Sequence, residues 1–348
     1  MSKEIERYPD PNQFDEKLFK NILKLPNDEI LDIDLVRKHI WDEAESFTVP
    51  KEKIIRGMQA NMFIVSCTNK SGDNKEVIVK RIVPKELPEK PSLEIWQGFI
   101  TSVRTEIDFY QELLEPENKS IRHLFPTIFR SSGTGKQIDH VPMDTAFSII
   151  MQDLNQDYTQ KPMMNGEEAK LVLQSLARLH AHYWDKIPNE QRGSFWVLKK
   201  RSAFSEVENA DSTWNSFIDR FPDLVNIHPG VRQIGSLLAS QAEKLDQMVS
   251  VGANTRIHGD AKGWNFFFAK EGSKAHSSQP FLFIDMQWTG RGHPLQDVAY
   301  ALTTTLSEEA LEDMDTLVDY YIDTLGKLII EITTIHIIHC CYTCRFET

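Results

Sequence analysis

The chain of 348 residues is longer than one simple core of ordinary size, so the sequence predicts two packed lobes. Hydrophobic residues at 41% and charged residues at 26% are typical of a globular protein. An excess of 51 acidic over 39 basic residues gives a formal net charge of -12, which argues against a nucleic-acid partner.

The N-terminal segment, residues 1–46, is polar and helix-prone, so we expect an N-terminal helical extension. It lacks the apolar core of a signal peptide, and no run of about 18 uncharged apolar residues follows it. We therefore expect a cytoplasmic protein without a membrane partner. The four cysteines do not have the spacing of a secreted disulfide framework, because three of them crowd near the C-terminus.

Residues 47–154 have the pattern of a small α+β lobe. Short β-branched runs within residues 54–84 predict a hairpin-linked antiparallel sheet. The stretch 92–116 then spaces its apolar residues by three and four until Pro116, which predicts one helix. Two more apolar runs complete the lobe near Leu154.

Residues 155–327 have mainly helical periodicity, so a sheet-rich lobe is followed by a helix-rich one and the predicted fold class is α+β. Asn165 and Glu168 have the spacing of a capping box, which predicts the start of a helix. Residues 328–348 form an atypical C-terminal tail, for which we expect a short apolar helix or strand. An alternative, a zinc site, is less favoured because structural zinc sites use two separated ligand pairs. Its ligands would be His336, His339, Cys340, Cys341 and Cys344.

Two charged residues of the first lobe lie where the burial of charge is costly. The period of two along EVIVKRIV places Lys80 on the same strand face as two isoleucines, and Glu106 lies in the apolar stripe of the following helix. Paired with Glu106, Lys80 would hold its ammonium group on a nucleotide phosphate. The alternative is a lysine whose head group reaches water and a glutamate at the rim of the stripe. On these two residues alone we favour the alternative.

The stretch IHGDAKGWNFFF, residues 257–268, concentrates polar groups between two apolar runs. Asp260 and Asn265 lie five positions apart, the spacing of the H-R-D-x-x-x-x-N loop of protein kinases. In that arrangement the carboxylate accepts the proton of an attacking hydroxyl, and the amide oxygen reaches a magnesium ion. Lys262 is placed to meet the charge of the transferred phosphoryl group. We expect His258 to brace the loop rather than to react.

A second carboxylate, Asp285, follows the apolar run FLFI at the end of a predicted strand. This is the expected place for a second magnesium ligand next to the β- and γ-phosphates. Neither motif is specific alone, because Gly-Asp commonly marks a simple turn. Together with the downstream stretch GHPLQDVAY, the two motifs favour a kinase-type phosphotransfer site.

These motifs, with LARLHAHYW upstream of them, resemble those of the aminoglycoside phosphotransferase and choline kinase superfamily. Within that superfamily, the chain is most similar to the ecdysteroid kinase-like (CHK kinase-like) branch, over residues 50–327 or so. The resemblance implies a protein-kinase-like fold of two lobes, with ATP and Mg²⁺ as cofactors.

The resemblance also implies nucleotide contacts in the first lobe. Lys80 and Glu106 match the phosphate-holding lysine and its helix partner, which now favours the paired interpretation. The stretch MQDL, with Gln152 and Leu154, is similar to the hinge segment whose backbone meets adenine.

In the second lobe, the resemblance implies that Asp260 is the catalytic base and that Asn265 and Asp285 are the magnesium ligands. Asp297 is similar to the helix aspartate that supports the catalytic loop from below.

Three features depart from related kinases. No G-x-G-x-x-G motif precedes the first lobe's helix; Gly57 is the only glycine of IIRGMQANMF. Only twelve positions separate Asp285 from Asp297, which leaves no room for the activation segment of a protein kinase. Because that segment is missing, a small-molecule alcohol is favoured over a protein hydroxyl as the acceptor. The tail is the third departure, since it does not resemble the family.

The sequence thus predicts an ATP- and magnesium-dependent kinase that phosphorylates a hydroxyl of a small molecule. The acceptor class stays open among sterol-, choline- and aminoglycoside-like alcohols, and no signal indicates an oligomeric state. The alternative is a nucleotide-binding protein without turnover, because the atypical tail leaves the acceptor lobe incomplete. A true protein kinase is disfavoured by the missing activation segment.

Overall fold

The computed structural model describes most of the chain in separate ranges. These are residues 44–48, 54–56, 61–82, 93–133, 147–188, 209–223, 229–250, 252 and 254–343. Two compact units are present: the first holds the described residues up to Thr159 together with Ala269–Leu282, and the second holds Gln160–Phe268 together with the described residues from Phe283 onward. Residues 1–43 of the predicted extension lie outside the described residues, and the limits between the four predicted segments stay predictions.

Six strands of the first unit form one antiparallel sheet, of the kind that the sequence predicts. They are β1 (Ala44–Thr48), β2 (Ile54–Arg56), β3 (Asn61–Asn69), β4 (Asn74–Ile82), β5 (Ile128–Gly133) and β6 (Phe147–Gln152). The strand order is β1-β3-β4-β6-β5, and β2 also pairs with β3. Phe63 and Val65 on β3 lie opposite Val79 and Val77 on β4, and all four side chains are buried because they share one face.

Helix α1, Leu93–Leu113, occupies the stretch that the apolar spacing predicts, and it packs against β5 and β6. Val103 and Tyr110 bury their side chains. The Ser131 hydroxyl on β5 donates a hydrogen bond to the carbonyl oxygen of Ile107, with the two oxygens 3.1 Å apart. This contact holds the helix on the sheet, so the buried stripe of α1 is fixed relative to β4 and β6.

Five short strands lie further along the chain: β7 (Tyr158–Gln160), β8 (Thr255–Ile257), β9 (Phe266–Ala269), β10 (Phe281–Phe283) and β11 (Gly290–Gly292). A short helix, α5, spans Lys274–Ser278 in the first unit. Strands β8 and β11 pair in antiparallel register within the second unit, with Ile257 opposite Gly290.

The second unit is mainly helical. Its helices are α2 (Gly166–His182), α3 (Ala210–Arg220), α4 (Ile234–Ser250), α6 (Leu295–Thr305), α7 (Glu308–Leu311) and α8 (Met314–Thr343). Helix α2 is central, because α8 packs along it and α6 and β8 also contact it. An antiparallel sheet with a helix in the first unit and a helical second unit confirm the predicted α+β fold class.

The predicted capping box starts α2. The Asn165 side chain accepts a hydrogen bond from the backbone N–H of Glu168, and the Glu168 carboxylate accepts one from the backbone N–H of Asn165. The same carboxylate also pairs with Lys161. Two N–H groups at the helix start therefore have acceptors.

The predicted tail begins inside a long helix. Helix α8 runs without a break from Met314 to Thr343 and so crosses the predicted limit at residue 328. The side chains of the zinc alternative lie outside the described residues. Within the described part of the chain, no helix is both long and apolar enough to span a membrane.

The capping box gives a stability prediction. Asn165→Ala removes the acceptor for the Glu168 N–H, so it should lower the free energy of unfolding by about 1 kcal/mol and Tm by roughly 2–4 °C. Asn165→Asp keeps an acceptor oxygen and serves as the matched control. A thermal unfolding scan measures both, and equal Tm values for Asn165→Ala and the native chain would contradict the contribution of the cap.

Candidate active site

The catalytic-loop stretch begins where β8 ends and leads into β9. Strand β8 is fully buried and is tied to its neighbours by two threonines. The Thr255 hydroxyl donates to the carbonyl oxygen of His180 on α2 at 2.6 Å, and the Thr289 hydroxyl donates to the carbonyl oxygen of Ile257 at 2.7 Å. The strand that delivers the loop is thus held from two sides.

Asp260 is 1% exposed, and two side chains of the same loop hold one of its carboxylate oxygens. Asn265 Nδ2 donates to Oδ2 at 2.9 Å, and the Lys262 ammonium group donates to the same Oδ2 at 2.9 Å. The other oxygen, Oδ1, is buried and has no hydrogen-bond partner among the described residues. A buried acceptor without a donor is costly, so Oδ1 would gain from a hydrogen-bond donor.

Lys262 combines partial burial with a carboxylate partner. Burial alone lowers the pKa of the Lys262 ammonium group, but the hydrogen bond and charge of Asp260, assisted by Tyr300 and Asp285, raise it above its ordinary value. The ammonium group also lies over the Trp288 ring, 5.8 Å from its centroid. Lys262 therefore carries its charge at neutral pH and is available to an anion.

Asn265 presents its amide in one orientation. Nδ2 donates to the backbone carbonyl oxygen of Asp260 at 2.8 Å as well as to its carboxylate. Because the nitrogen is committed to two acceptors, the lone pairs of Oδ1 are the part of the amide left for a cation. An amide oxygen is a ligand that suits Mg²⁺.

Asp285 adopts an unusual backbone conformation. Its φ of 65° and ψ of 64° lie in the left-handed region, which aspartate tolerates better than most residues. The residue follows β10 at the start of a short 3-10 turn, Met286–Trp288, so its side chain direction is set by the turn. A non-glycine residue held in this region often belongs to a functional site.

The side chains of Asn265 and Asp285 fit a hard cation, since both offer oxygen atoms as ligands. Within the described residues, no group of three or more His, Cys, Asp or Glu side chains could hold a metal ion. A magnesium ion that takes one or two protein ligands and completes its shell with phosphate oxygens and water does not require such a group.

His258 makes two hydrogen bonds within the loop region. Its Nε2 lies 3.0 Å from the carbonyl oxygen of Ile284, and its Nδ1 accepts from the backbone N–H of Asp260 at 3.2 Å. A carbonyl can only accept, so Nε2 carries the proton. The ring thereby connects the loop to the end of β10, which is a bracing contact.

Asp297, in the first turn of α6, is fully buried beneath the loop. Its Oδ2 accepts from the backbone N–H of His258 at 2.6 Å, and its Oδ1 accepts from the backbone N–H of Gly259 at 2.9 Å. The other end of α6 also anchors the loop, because the Thr305 hydroxyl accepts from the backbone N–H of Gly263 at 3.1 Å. Thr305 was not indicated by the sequence.

Gly259 permits a close approach of the loop to the turn that follows Asp285. Its φ of 85° is left-handed, and an added Cβ would lie 2.2 Å from the carbonyl oxygen of Trp288. A side chain is therefore excluded both by backbone conformation and by space.

Lys80 and Glu106 form an ion pair in the first unit, with 2.8 Å between Nζ and Oε2. The Glu106 side chain is 1% exposed and the Lys80 side chain 15% exposed. The pair joins β4 to α1, so the position of the ammonium group depends on both elements. The Lys80 head group thus pairs with Glu106, whereas the interpretation favoured on the two residues alone directed it to water.

The hinge residues Gln152 and Leu154 lie in the first unit, at and beyond the end of β6. The backbone N–H of Gln152 donates to the carbonyl oxygen of Thr127 at 2.9 Å, and the carbonyl oxygen of Leu154 accepts from the N–H of Tyr158 at 2.8 Å. Adenine contacts to this segment would therefore not use the Gln152 N–H. The roles assigned to the ten predicted site residues stay predictions.

A sheet-rich unit, a helical unit and a D-x-x-x-x-N loop supported by a buried helix aspartate are features of the kinase-like phosphotransferases. The sequence pattern of the ecdysteroid kinase-like family matches residues 58–333. The chain therefore belongs to the ecdysteroid kinase-like family, as its motifs predict.

Solved structures also resemble the chain. One is amicoumacin kinase hAmiN in complex with AMP-PNP, Ca²⁺ and Ami, with 11% identity and a TM-score of 0.47, covering 90% of this chain and 80% of that one. Another is an aminoglycoside-3'-phosphotransferase of type VIII, with 12% identity and a TM-score of 0.39, covering 76% of this chain and 81% of that one. No curated protein matched the chain.

Gly259 and Gly272 allow a matched test of the close approach. Both have a left-handed φ, but an added Cβ at Gly272 meets nothing within 4 Å. Gly272→Ala should cost about 1–2 kcal/mol from backbone strain alone. Gly259→Ala should cost more than about 3 kcal/mol, because the main chain at Trp288 must also move. Equal losses of thermal stability in the two variants would contradict the close approach.

Proposed function

We propose that this protein is an ATP- and magnesium-dependent kinase that transfers the γ-phosphoryl group to a hydroxyl of a small molecule. The observation that carries the proposal is the state of Asp260. Its carboxylate is buried, one oxygen is held by Asn265 and Lys262, and the other has no donor among the described residues. Membership of a kinase-like family makes this the chemistry to expect from the loop.

Asp260 Oδ1 serves as the proton acceptor in this proposal. The acceptor alcohol donates its hydroxyl proton to Oδ1 as its oxygen attacks the γ-phosphorus in line with the departing ADP oxygen. The two hydrogen bonds to Oδ2 keep the carboxylate in a single orientation, so the proton is received at a fixed place. Lys262 meets the negative charge that spreads over the transferred group.

Asn265 and Asp285 would hold Mg²⁺, which supplies charge neutralisation to the phosphate oxygens of the nucleotide. Asn265 would contribute Oδ1, the amide atom left by its two bonds to Asp260. Asp285 would contribute a carboxylate from the left-handed turn. His258 and Asp297 act as supports, because their bonds run to the backbone of the loop and of its neighbours.

In the first unit, we assign the phosphates to Lys80 and the adenine edge to the backbone around Gln152 and Leu154. Glu106 directs the Lys80 ammonium group and offsets the cost of holding a charge that is largely buried. These assignments rest on the ion pair and on the family resemblance.

The acceptor is a sterol-, choline- or aminoglycoside-like alcohol in this proposal. Trp264, next to Asn265, is 60% exposed, which is unusual for so large an apolar side chain in a loop that otherwise buries its residues. We place the indole ring at the border of the acceptor site.

Replacement of the proposed base tests the function. Asp260→Asn keeps the size of the side chain but removes its ability to take a proton, so turnover should fall by about 10²- to 10⁴-fold. The measurement is magnesium-dependent ADP formation from ATP with pooled small-molecule alcohols. Asp260→Ala should lower turnover to a similar extent.

Asp219→Asn is the control, because this exposed aspartate on α3 lies 3.9 Å from Arg232 and outside the loop. It should turn over like the native chain. Native turnover by Asp260→Asn would exclude Asp260 as the base. ATP binding by the native chain without ADP formation would instead favour the nucleotide-binding protein without turnover.

A magnesium titration tests the ligand assignment. Asn265→Ala removes a metal ligand and one donor to Asp260, so half-maximal turnover should require about tenfold more Mg²⁺. Gln160→Ala is the control, because the Gln160 amide donates to the backbone carbonyl oxygen of Trp264 and Gln160 is not among the proposed ligands. An unchanged magnesium requirement in Asn265→Ala would remove Asn265 from the ligand set.

A further inference from the structure

A chain of buried side chains runs from the last helix to the catalytic loop. The Tyr321 hydroxyl on α8 lies 2.6 Å from His180 Nδ1 on α2, and His180 Nε2 lies 3.2 Å from Asp297 Oδ2 on α6. His180 and Asp297 are fully buried, and Tyr321 is 1% exposed. Asp297 in turn accepts from the two loop amides of His258 and Gly259.

The direction of each hydrogen bond follows from the groups involved. The Asp297 carboxylate can only accept, so His180 Nε2 carries a proton and donates it. His180 Nδ1 then accepts from the Tyr321 hydroxyl. Burial, followed by the charge of Asp297, raises the pKa of the Tyr321 hydroxyl, which therefore keeps its proton. Each donor among Tyr321 and His180 thus has an acceptor, and the tautomer of His180 is fixed by its two neighbours.

His180 also contacts the strand that leads into the loop. Its carbonyl oxygen accepts from the Thr255 hydroxyl on β8 at 2.6 Å. The Tyr321 ring packs edge-on against the imidazole, with 5.9 Å between the ring centroids. One residue of α2 is thus bonded to β8, to α6 and to α8.

We propose that His180 and Tyr321 are positioning residues, which hold the Asp297 carboxylate in the orientation that fixes the backbone of the catalytic loop. Without the donation from His180, each Asp297 oxygen keeps a single backbone donor, the His258 N–H at Oδ2 and the Gly259 N–H at Oδ1, so the orientation of the carboxylate is held less firmly. With the donation, three donors define the plane of the carboxylate, so the amides of His258 and Gly259 have one place to bind. The path of the loop, and with it the place of Asp260, then depends on helix α8 through a single hydroxyl.

Two substitutions at His180 separate its hydrogen bond to Asp297 (the Asp297 arm) from its hydrogen bond to Tyr321 (the Tyr321 arm). The amide nitrogen of glutamine reaches the place of Nε2, so His180→Gln keeps a donor for Asp297. The shorter asparagine places its amide near Nδ1, so His180→Asn keeps the Tyr321 arm and loses the Asp297 arm. Both variants are smaller than histidine and both sever one bond, which makes them a matched pair. Tyr321→Phe removes only an oxygen and leaves the packing of α8 in place.

Hydrogen–deuterium exchange of the peptide spanning residues 255–266, read by mass spectrometry, reports the loop amides without any substrate. Exchange in this peptide should rise by about tenfold in His180→Asn, which loses the Asp297 arm, and by about threefold in Tyr321→Phe and in His180→Gln, which lose only the Tyr321 arm. The β3–β4 hairpin in the first unit should be unchanged in all three.

Equal exchange in His180→Asn and His180→Gln would overturn the proposal, and so would a rise spread over α2 and α8 instead of the loop, because either result indicates loss of packing. If His180→Asn does not fold, Tyr321→Phe decides the matter: native exchange at the loop in that variant also overturns it.

A second, kinetic experiment tests the same proposal and rests on the proposed function. With magnesium, ATP and the alcohol pool, His180→Asn should lower kcat by about tenfold while KM for ATP stays within about threefold, because the loop is misplaced and the nucleotide contacts are not. His180→Gln, which keeps a donor for Asp297, should lower kcat by about threefold at most. Absence of turnover in the native chain would count against the proposed function alone, since the exchange experiment still decides the positioning role.

Discussion

The second unit depends on the hydrogen bonds that are donated to the buried carboxylate of Asp297. A fully buried charge is tolerated only when donors surround it, and this one has three: the backbone amides of His258 and Gly259 and the imidazole of His180. Two of the donors are backbone groups of the catalytic loop itself. The need of the charge for hydrogen bonds therefore determines where the loop passes over α6, and no side chain of the loop has to be large to hold it there.

Asp260 shows how the same kind of residue acquires a different role from its partners. Asp297 has donors on both oxygens, whereas Asp260 has donors only on Oδ2, from Asn265 and Lys262. Both carboxylates are buried, so the difference between them does not lie in exposure. It lies in the one oxygen of Asp260 that has no donor in the described structure. The proposed function assigns a substrate proton to that oxygen, so the supporting and the proposed catalytic aspartate differ in how completely their hydrogen bonds are satisfied.

The sequence could predict features that depend on local spacing and could not predict those that depend on distant partners. The capping box at α2 and the five-residue spacing within the loop are local. Periodicity gives the faces of the two elements that carry Lys80 and Glu106 but not which faces meet, so the pair was favoured only through the family resemblance. The bonds of His180 to Asp297 and Tyr321 bridge 117 and 141 positions along the chain, so no pattern in any one segment encodes them.

The loop buries most of its side chains and extends two of them outward. Between β8 and β9, His258, Asp260 and Asn265 are no more than 5% exposed and are bonded within the second unit. Only Lys262 and Trp264 extend exposed side chains from this stretch: the Lys262 side chain is 37% exposed, and Trp264 is 60% exposed. A substitution at a buried position disturbs a network that reaches three helices, and a substitution at Lys262 removes a donor from Asp260. Trp264 has neither constraint, so under the proposed function differences in acceptor should concentrate at that position, and the chemistry should remain with Asp260, Lys262 and Asn265.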